Sequence, residues 1–187
     1  MSKKLWQFGC SVSLGEEATK PYGVWIAEHI GYEFIQQSES SASNPSIALK
    51  FCELYTKIDS EDLVIFGWSH PSRSSWYNKH AQGWEHLNYI QQKKRGDPLT
   101  GSVVDYITHQ ICDYVINTND WYPKHIVDTT CKLNNLKYLH VDCVPGMVDY
   151  LMHEQAKYIA DHLHPNDLGH ERIFHLIKSD IFSIINT

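Results

Sequence analysis

The stretch "DLVIFGW" (62–68) is an unbroken apolar run ending near a glycine, and it restricts the fold more than any other part of the chain. A strand with one wet face alternates polar and apolar residues. A continuous run is expected of a central strand in a parallel sheet, covered on both faces. Parallel strands need long crossover connections, so helices must separate them.

The rest of the chain supplies those pieces. "KLWQFGCS" (4–11) predicts a strand running into a sharp Gly-Cys-Ser turn, and "YEFIQQ" (32–37) and "KYLHVDCV" (137–144) predict two more strands. "PYGVWIAEHIG" (21–31) has proline at its start and glycine at its end, as a helix does. "SNPSIALKFCELYTKI" (43–58) opens with a capping Ser-Asn and proline before a helical apolar face. Helices are also expected over 102–116, 121–135 and 170–185, and a long polar and aromatic loop from Ser69 to about Trp84. Strand and helix alternate throughout, which implies an α/β domain with a mainly parallel sheet and helices on both faces.

At 187 residues, 42% hydrophobic and 20% charged, the chain fits one soluble domain spanning 1–187. Sixteen Lys and Arg against 22 Asp and Glu give a formal net charge of −6, which disfavours general nucleic-acid binding. "KKR" (93–95) is the only basic run and is expected to be a solvated helix end. No apolar stretch approaches the roughly 20 residues needed to span a bilayer, so no membrane partner is expected. The N-terminus lacks a signal-peptide core, and five scattered cysteines without a CxxC favour a reducing compartment, with the cytoplasm as the default.

In an open parallel sheet the ligand crevice lies beyond the carboxyl ends of the strands. Three chemically loaded segments reach that edge: Gly9-Cys10-Ser11, Gly67-Trp68-Ser69, and "DHLHPNDLGHERI" (161–173), just before the last helix. A cluster with three histidines and two aspartates can hold a metal, carry a proton, or open a helix with polar residues. Serine becomes a useful nucleophile when an imidazole accepts its proton and a carboxylate fixes the imidazole tautomer. Ser11 fits the first role. Asp161 and His164 are three residues apart, so one loop can supply the other two. His-x-His with a further histidine six residues on matches no common closed zinc arrangement, and no metal or cofactor is expected. His162 and His170 read as surface or helix-start residues, and Cys10 as a packing residue behind the turn.

The pattern resembles the SGNH (GDSL-like) hydrolases, particularly their small intracellular bacterial and phage members. "FGCSVSLG" (8–15) is similar to the first block of that family, "SESSASNPSI" (38–47) to the second, "DLVIFGWSHPSR" (62–73) to the third, and "DHLHPNDLGHERI" to the last. The resemblance implies a three-layer flavodoxin-like fold. It also implies a triad of Ser11, His164 and Asp161, and an oxyanion hole from Ser11, Ser41 and Ser69. Two departures stand out. Ser41 occupies the place of a glycine, and Gly67-Trp68-Ser69 puts a hydroxyl where Gly-x-Asn would offer an amide. The implied activity is a serine esterase or deacylase acting on small acyl esters, such as acetyl groups on a sugar, without cofactor. The altered second and third blocks keep open a catalytically silent ligand- or partner-binding protein. Trp68, His70, Arg73 and Trp76 are the candidate substrate-binding residues, Arg73 through its bidentate fork or else as a salt bridge pinning the loop.

Overall fold

The computed structural model describes residues 2–78, 83–87, 113–160 and 164–187. In chain order its elements are β1 (Lys4–Gly9), α1 (Ser11–Leu14), α2 (Tyr22–Ile30), β2 (Glu33–Gln36), α3 (Asn44–Leu54), β3 (Leu63–Trp68), β4 (Ser74–Asn78), β5 (Gly83–Leu87), α4 (Asp113–Leu133), β6 (Lys137–Asp142), α5 (Val148–Glu154) and α6 (Asp167–Ile185). Four strands form one parallel sheet in the order β2-β1-β3-β6. Helices α2 and α6 pack together, as do α3 and α4. The result is an α/β sandwich of helix, sheet and helix.

All six residues of β3 are buried, as its unbroken apolar run requires. Phe8, Phe51 and Phe66 meet in edge and stacked contacts between β1, α3 and β3. At the amino ends of these strands, Asp62 accepts from the Lys4 N–H at 2.7 Å and the Trp6 indole at 3.0 Å. That buried carboxylate clips β1 to the residue preceding β3.

Helix boundaries follow local chemistry. Ser43 caps α3, with Pro45 in the first turn, and α2 ends at Gly31 in a left-handed conformation, φ 74°. Helix α6 begins three residues earlier than the apolar periodicity suggests. The Asn166 side chain accepts from the Gly169 N–H, so the polar "NDLG" segment is a capped first turn.

Two expectations are corrected. The stretch after Ser69 is not one long loop, because Ser74–Asn78 and Gly83–Leu87 pair as an antiparallel hairpin. The expected break before Trp121 is absent, since α4 runs through Pro123 as one helix of 21 residues. Its amphipathic pattern outweighs the hydrogen bond that proline forfeits. Residues 93–95 and most of the helix expected over 102–116 lie outside the described residues. Among the described residues no helix is long and apolar enough to cross a membrane, and Cys10, Cys52, Cys131 and Cys143 are free.

The strand order defines where a site can form. From β1 the chain moves to β2 on one side, then crosses to β3 on the other side of β1. The crevice where the winding direction changes therefore opens between the carboxyl ends of β1 and β3.

Candidate active site

Ser11 leaves β1 at that switch point, two residues after Gly9 pairs with Gly67 of β3. It begins the four-residue α1, which closes at Gly15 with φ 78°. The turn is this tight because Gly9 and Gly67 lack side chains. A methyl group at either would overlap Ser13 Oγ, which occupies the space between the strand ends. Ser13 is tied to the Tyr22 hydroxyl at 2.8 Å and lies 3.6 Å from Cys143 Sγ. A buried polar knot thus fixes the floor beneath Ser11. Burial of the Tyr22 phenol and the Cys143 thiol pushes both pKa values up, the thiol to about 12, so both stay protonated. First-turn N–H groups of a helix have no partner within it, and that of Ser11 is one of them.

The structure brings Ser11 and His164 together across 153 positions of sequence: His164 Nε2 lies 2.9 Å from Ser11 Oγ. Ser11 is 2% exposed, and the His164 side chain is 13% exposed. The Glu16 carboxylate stands 3.5 Å from the same Nε2. His164 Nδ1 is buried and has no hydrogen-bond partner among the described residues. Asp161 and His162 lie outside the described residues.

His170 serves the scaffold. Its Nδ1 accepts from the Tyr22 backbone N–H at 3.2 Å, its ring stacks on Tyr22, and burial lowers its pKa to about 4, so it is neutral. A nitrogen used in this way is unavailable as a ligand.

Ser41 sits beside the end of β1. Backbone bonds from Gln37 to Gln7 and from Glu39 to Gly9 carry this strand edge along β1, and the Ala42 N–H then turns back to the Glu39 carbonyl. Ser41 is the third residue of that turn, with φ 58°. Such a conformation favours glycine, so the position keeps a glycine's backbone while carrying a serine.

Ser69 follows β3 directly. Its backbone N–H donates to Asn44 Oδ1 at 2.8 Å, while its hydroxyl is buried without a partner among the described residues. A backbone N–H can only donate, so the facing Asn44 atom is the oxygen. Asn44 Nδ2 is then buried with no hydrogen-bond partner among the described residues. Sequence reading missed Asn44 because it lies in the polar opening of α3, where asparagine is commonplace at a helix start.

Among the expected binding residues, Trp68 is corrected. It is 1% exposed, its ring packs against both Phe66 and His140, and its indole N–H donates to His140 Nδ1 at 2.8 Å. It is a core residue with no free face. His70 is turned onto its own loop, with Nδ1 2.7 Å from Ser72 Oγ; burial, reinforced by Arg73, lowers its pKa. Arg73 is buried in the same loop. Trp76 lies on β4, and its side chain falls outside what the structure describes.

No protein-family model matches the chain, and no curated protein matches it in sequence. Solved structures do resemble it. An alpha/beta hydrolase enzyme from the metagenome of Lake Arreo, Spain, is 15% identical with a TM-score of 0.47, over 99% of this chain and 97% of that one. A GDSL-like lipase from Bacteroides thetaiotaomicron is 13% identical with a TM-score of 0.44, over 97% and 88% of the two chains. The lipase/acylhydrolase from Enterococcus faecalis is 15% identical with a TM-score of 0.42, over 96% and 95%.

Proposed function

We propose that this chain is a serine hydrolase of acyl esters, with Ser11 as nucleophile, His164 as general base and Asp161 as the orienting acid. The observation that carries this reading is the 2.9 Å approach of His164 Nε2 to Ser11 Oγ at the switch point of the sheet. For Nε2 to accept the serine proton, Nδ1 must hold the other. A buried N–H without an acceptor costs about 1–3 kcal/mol, so Nδ1 calls for a carboxylate, and Asp161 is three residues away in sequence.

Ser11 Oγ attacks the ester carbonyl carbon as its proton passes to His164 Nε2. The carbonyl π pair moves onto oxygen, giving a tetrahedral oxyanion. Collapse expels the alcohol, which takes the proton from His164 and leaves the acyl group on Ser11. Water, deprotonated by the same nitrogen, then releases the acid. The backbone N–H groups of Ser11 and Ser41 supply two donors to the oxyanion. The Ser69 hydroxyl and Asn44 Nδ2, both buried and without a partner among the described residues, are the sources of a third. Each well-placed donor is worth about 3–4 kcal/mol in the transition state. Small acyl groups, including acetyl on a sugar, are the proposed substrates.

The rival reading, a silent binding protein, draws on the Ser69 N–H, which is spent on Asn44, and on serine in place of the usual amide. Labelling with a fluorophosphonate decides between them. The esterase reading expects one label per chain, absent in Ser11→Ala and slowed about 10⁴-fold or more in His164→Ala. Folded native protein that takes no label would establish the binding protein instead.

A further inference from the structure

Arg73 is 5% exposed, and its Nε and Nη1 are buried with no hydrogen-bond partner among the described residues. A guanidinium cannot escape burial by losing its proton, as a lysine can, so one with two nitrogens buried and unpartnered carries a poorly compensated charge. Folded chains tolerate that where an anion arrives to match it.

The loop carrying Arg73 is firmly held. The Ser69 N–H bonds Asn44, Asn119 Nδ2 reaches the Pro71 carbonyl at 3.3 Å, and the Arg73 N–H returns to the His70 carbonyl at 3.0 Å. The Ser75 hydroxyl donates to Ser43 Oγ at 2.7 Å. These bonds fasten both ends of the loop to the opening of α3, next to Ser41. Arg73 therefore sits in a preorganised segment four residues from Ser69, at the same edge as Ser11. Among the described residues no carboxylate forms an ion pair with it. His70 is depressed in pKa by burial and by Arg73 itself, and Asp149 pulls His70 the other way.

We infer that Arg73 is a specificity residue for the esterase reading on which this inference rests: it receives a carboxylate carried by the substrate, so that the preferred esters are monoanionic. A single buried positive charge matches a single negative one, and a fixed guanidinium suits a planar carboxylate.

The test compares 4-acetoxybenzoate with its neutral methyl ester. Native protein is expected to favour the anion by about 10- to 100-fold in kcat/KM, chiefly through KM, the range typical of hydrogen bonds to charged groups. In Arg73→Met the ratio should fall to about one, and Arg73→Lys should keep part of it. Benzoate should raise the melting temperature of native protein and not that of Arg73→Met, which should itself melt no lower than native because it loses a poorly compensated charge.

A native ratio near one overturns the proposal. So does a ratio that survives in Arg73→Met with a lowered melting temperature, which would make Arg73 a scaffold residue. Protection by inorganic phosphate and not by benzoate overturns the carboxylate assignment. If the protein neither takes a fluorophosphonate nor cleaves either ester, the esterase reading fails; the benzoate shift, present or absent, still decides whether Arg73 binds a carboxylate.

Discussion

Asn44 has one shown contact and one proposed role, and they can be separated. Its oxygen pins the loop after β3 through the Ser69 N–H, and its nitrogen, without a partner among the described residues, is the proposed oxyanion donor. Asn44→Asp keeps the acceptor and removes the donor. If Nδ2 serves the oxyanion, turnover in this variant should fall about 10²–10³-fold with KM little changed. Steady-state kinetics on 4-nitrophenyl acetate check this, and an unchanged kcat would reduce Asn44 to a loop clip. At this scale the chain was partly legible. Ser11 and His164 stand out because a histidine three residues after an aspartate, just before a helix, is an unusual combination. Asn44 and the burial of Trp68 were not legible, since both depend on what lies opposite after folding. Nothing in "SNPSI" says which atom its asparagine will face.

The elements converge because two strand ends carry no side chain. Gly9 and Gly67 lie side by side in register, and the space above them is filled by Ser13, Tyr22 and Cys143. Gly67→Ala would drive a methyl group into Ser13 Oγ, backed by the Tyr22 hydroxyl and Cys143 Sγ. Such overpacking costs about 1–3 kcal/mol, and it would also displace the turn that presents Ser11. The unfolding free energy from urea denaturation is expected to fall by that amount, and fluorophosphonate labelling to slow with it. The parallel strands were readable from apolar runs, because burial on both faces leaves no polar alternation to obscure them. The β4–β5 hairpin was not. Its strands read "SSWYN" and "GWEHL", too short and too polar to stand apart from a loop. Helix α4 was read as two, over 102–116 and 121–135, with the polar "NTND" between them, while its packing against α3 is invisible in the sequence.

For the molecule as a whole, the response to acid follows from His170. Its folded pKa is lowered from 6.5 to about 4, chiefly by burial, so the unfolded chain binds the proton more readily. The stability it protects is complete above about pH 6.5 and is lost as pH falls through the window down to about 4. The depression corresponds to about 3 kcal/mol at most. Chemical denaturation between pH 7 and 4 should show this decline, and His170→Gln should flatten it while lowering stability at pH 7, where the bond from the Tyr22 N–H is weakened. Asp167 runs in the same direction. Hydrogen bonds from Lys20 and Thr19 hold its carboxyl below the ordinary range, so its contribution fades at lower pH still.

On the proposed reading the nucleophile and its base lie 153 residues apart in sequence. Ser11 is then an inert hydroxyl in a growing polypeptide. On this reading it acquires reactivity only when α6 docks against α2 and sets His164 in place. Reactivity toward an acylating probe is then a clock for the last step of assembly. A ribosome-bound chain that ends before residue 160 should be silent, and the interval between release and first labelling would time the closing of the fold.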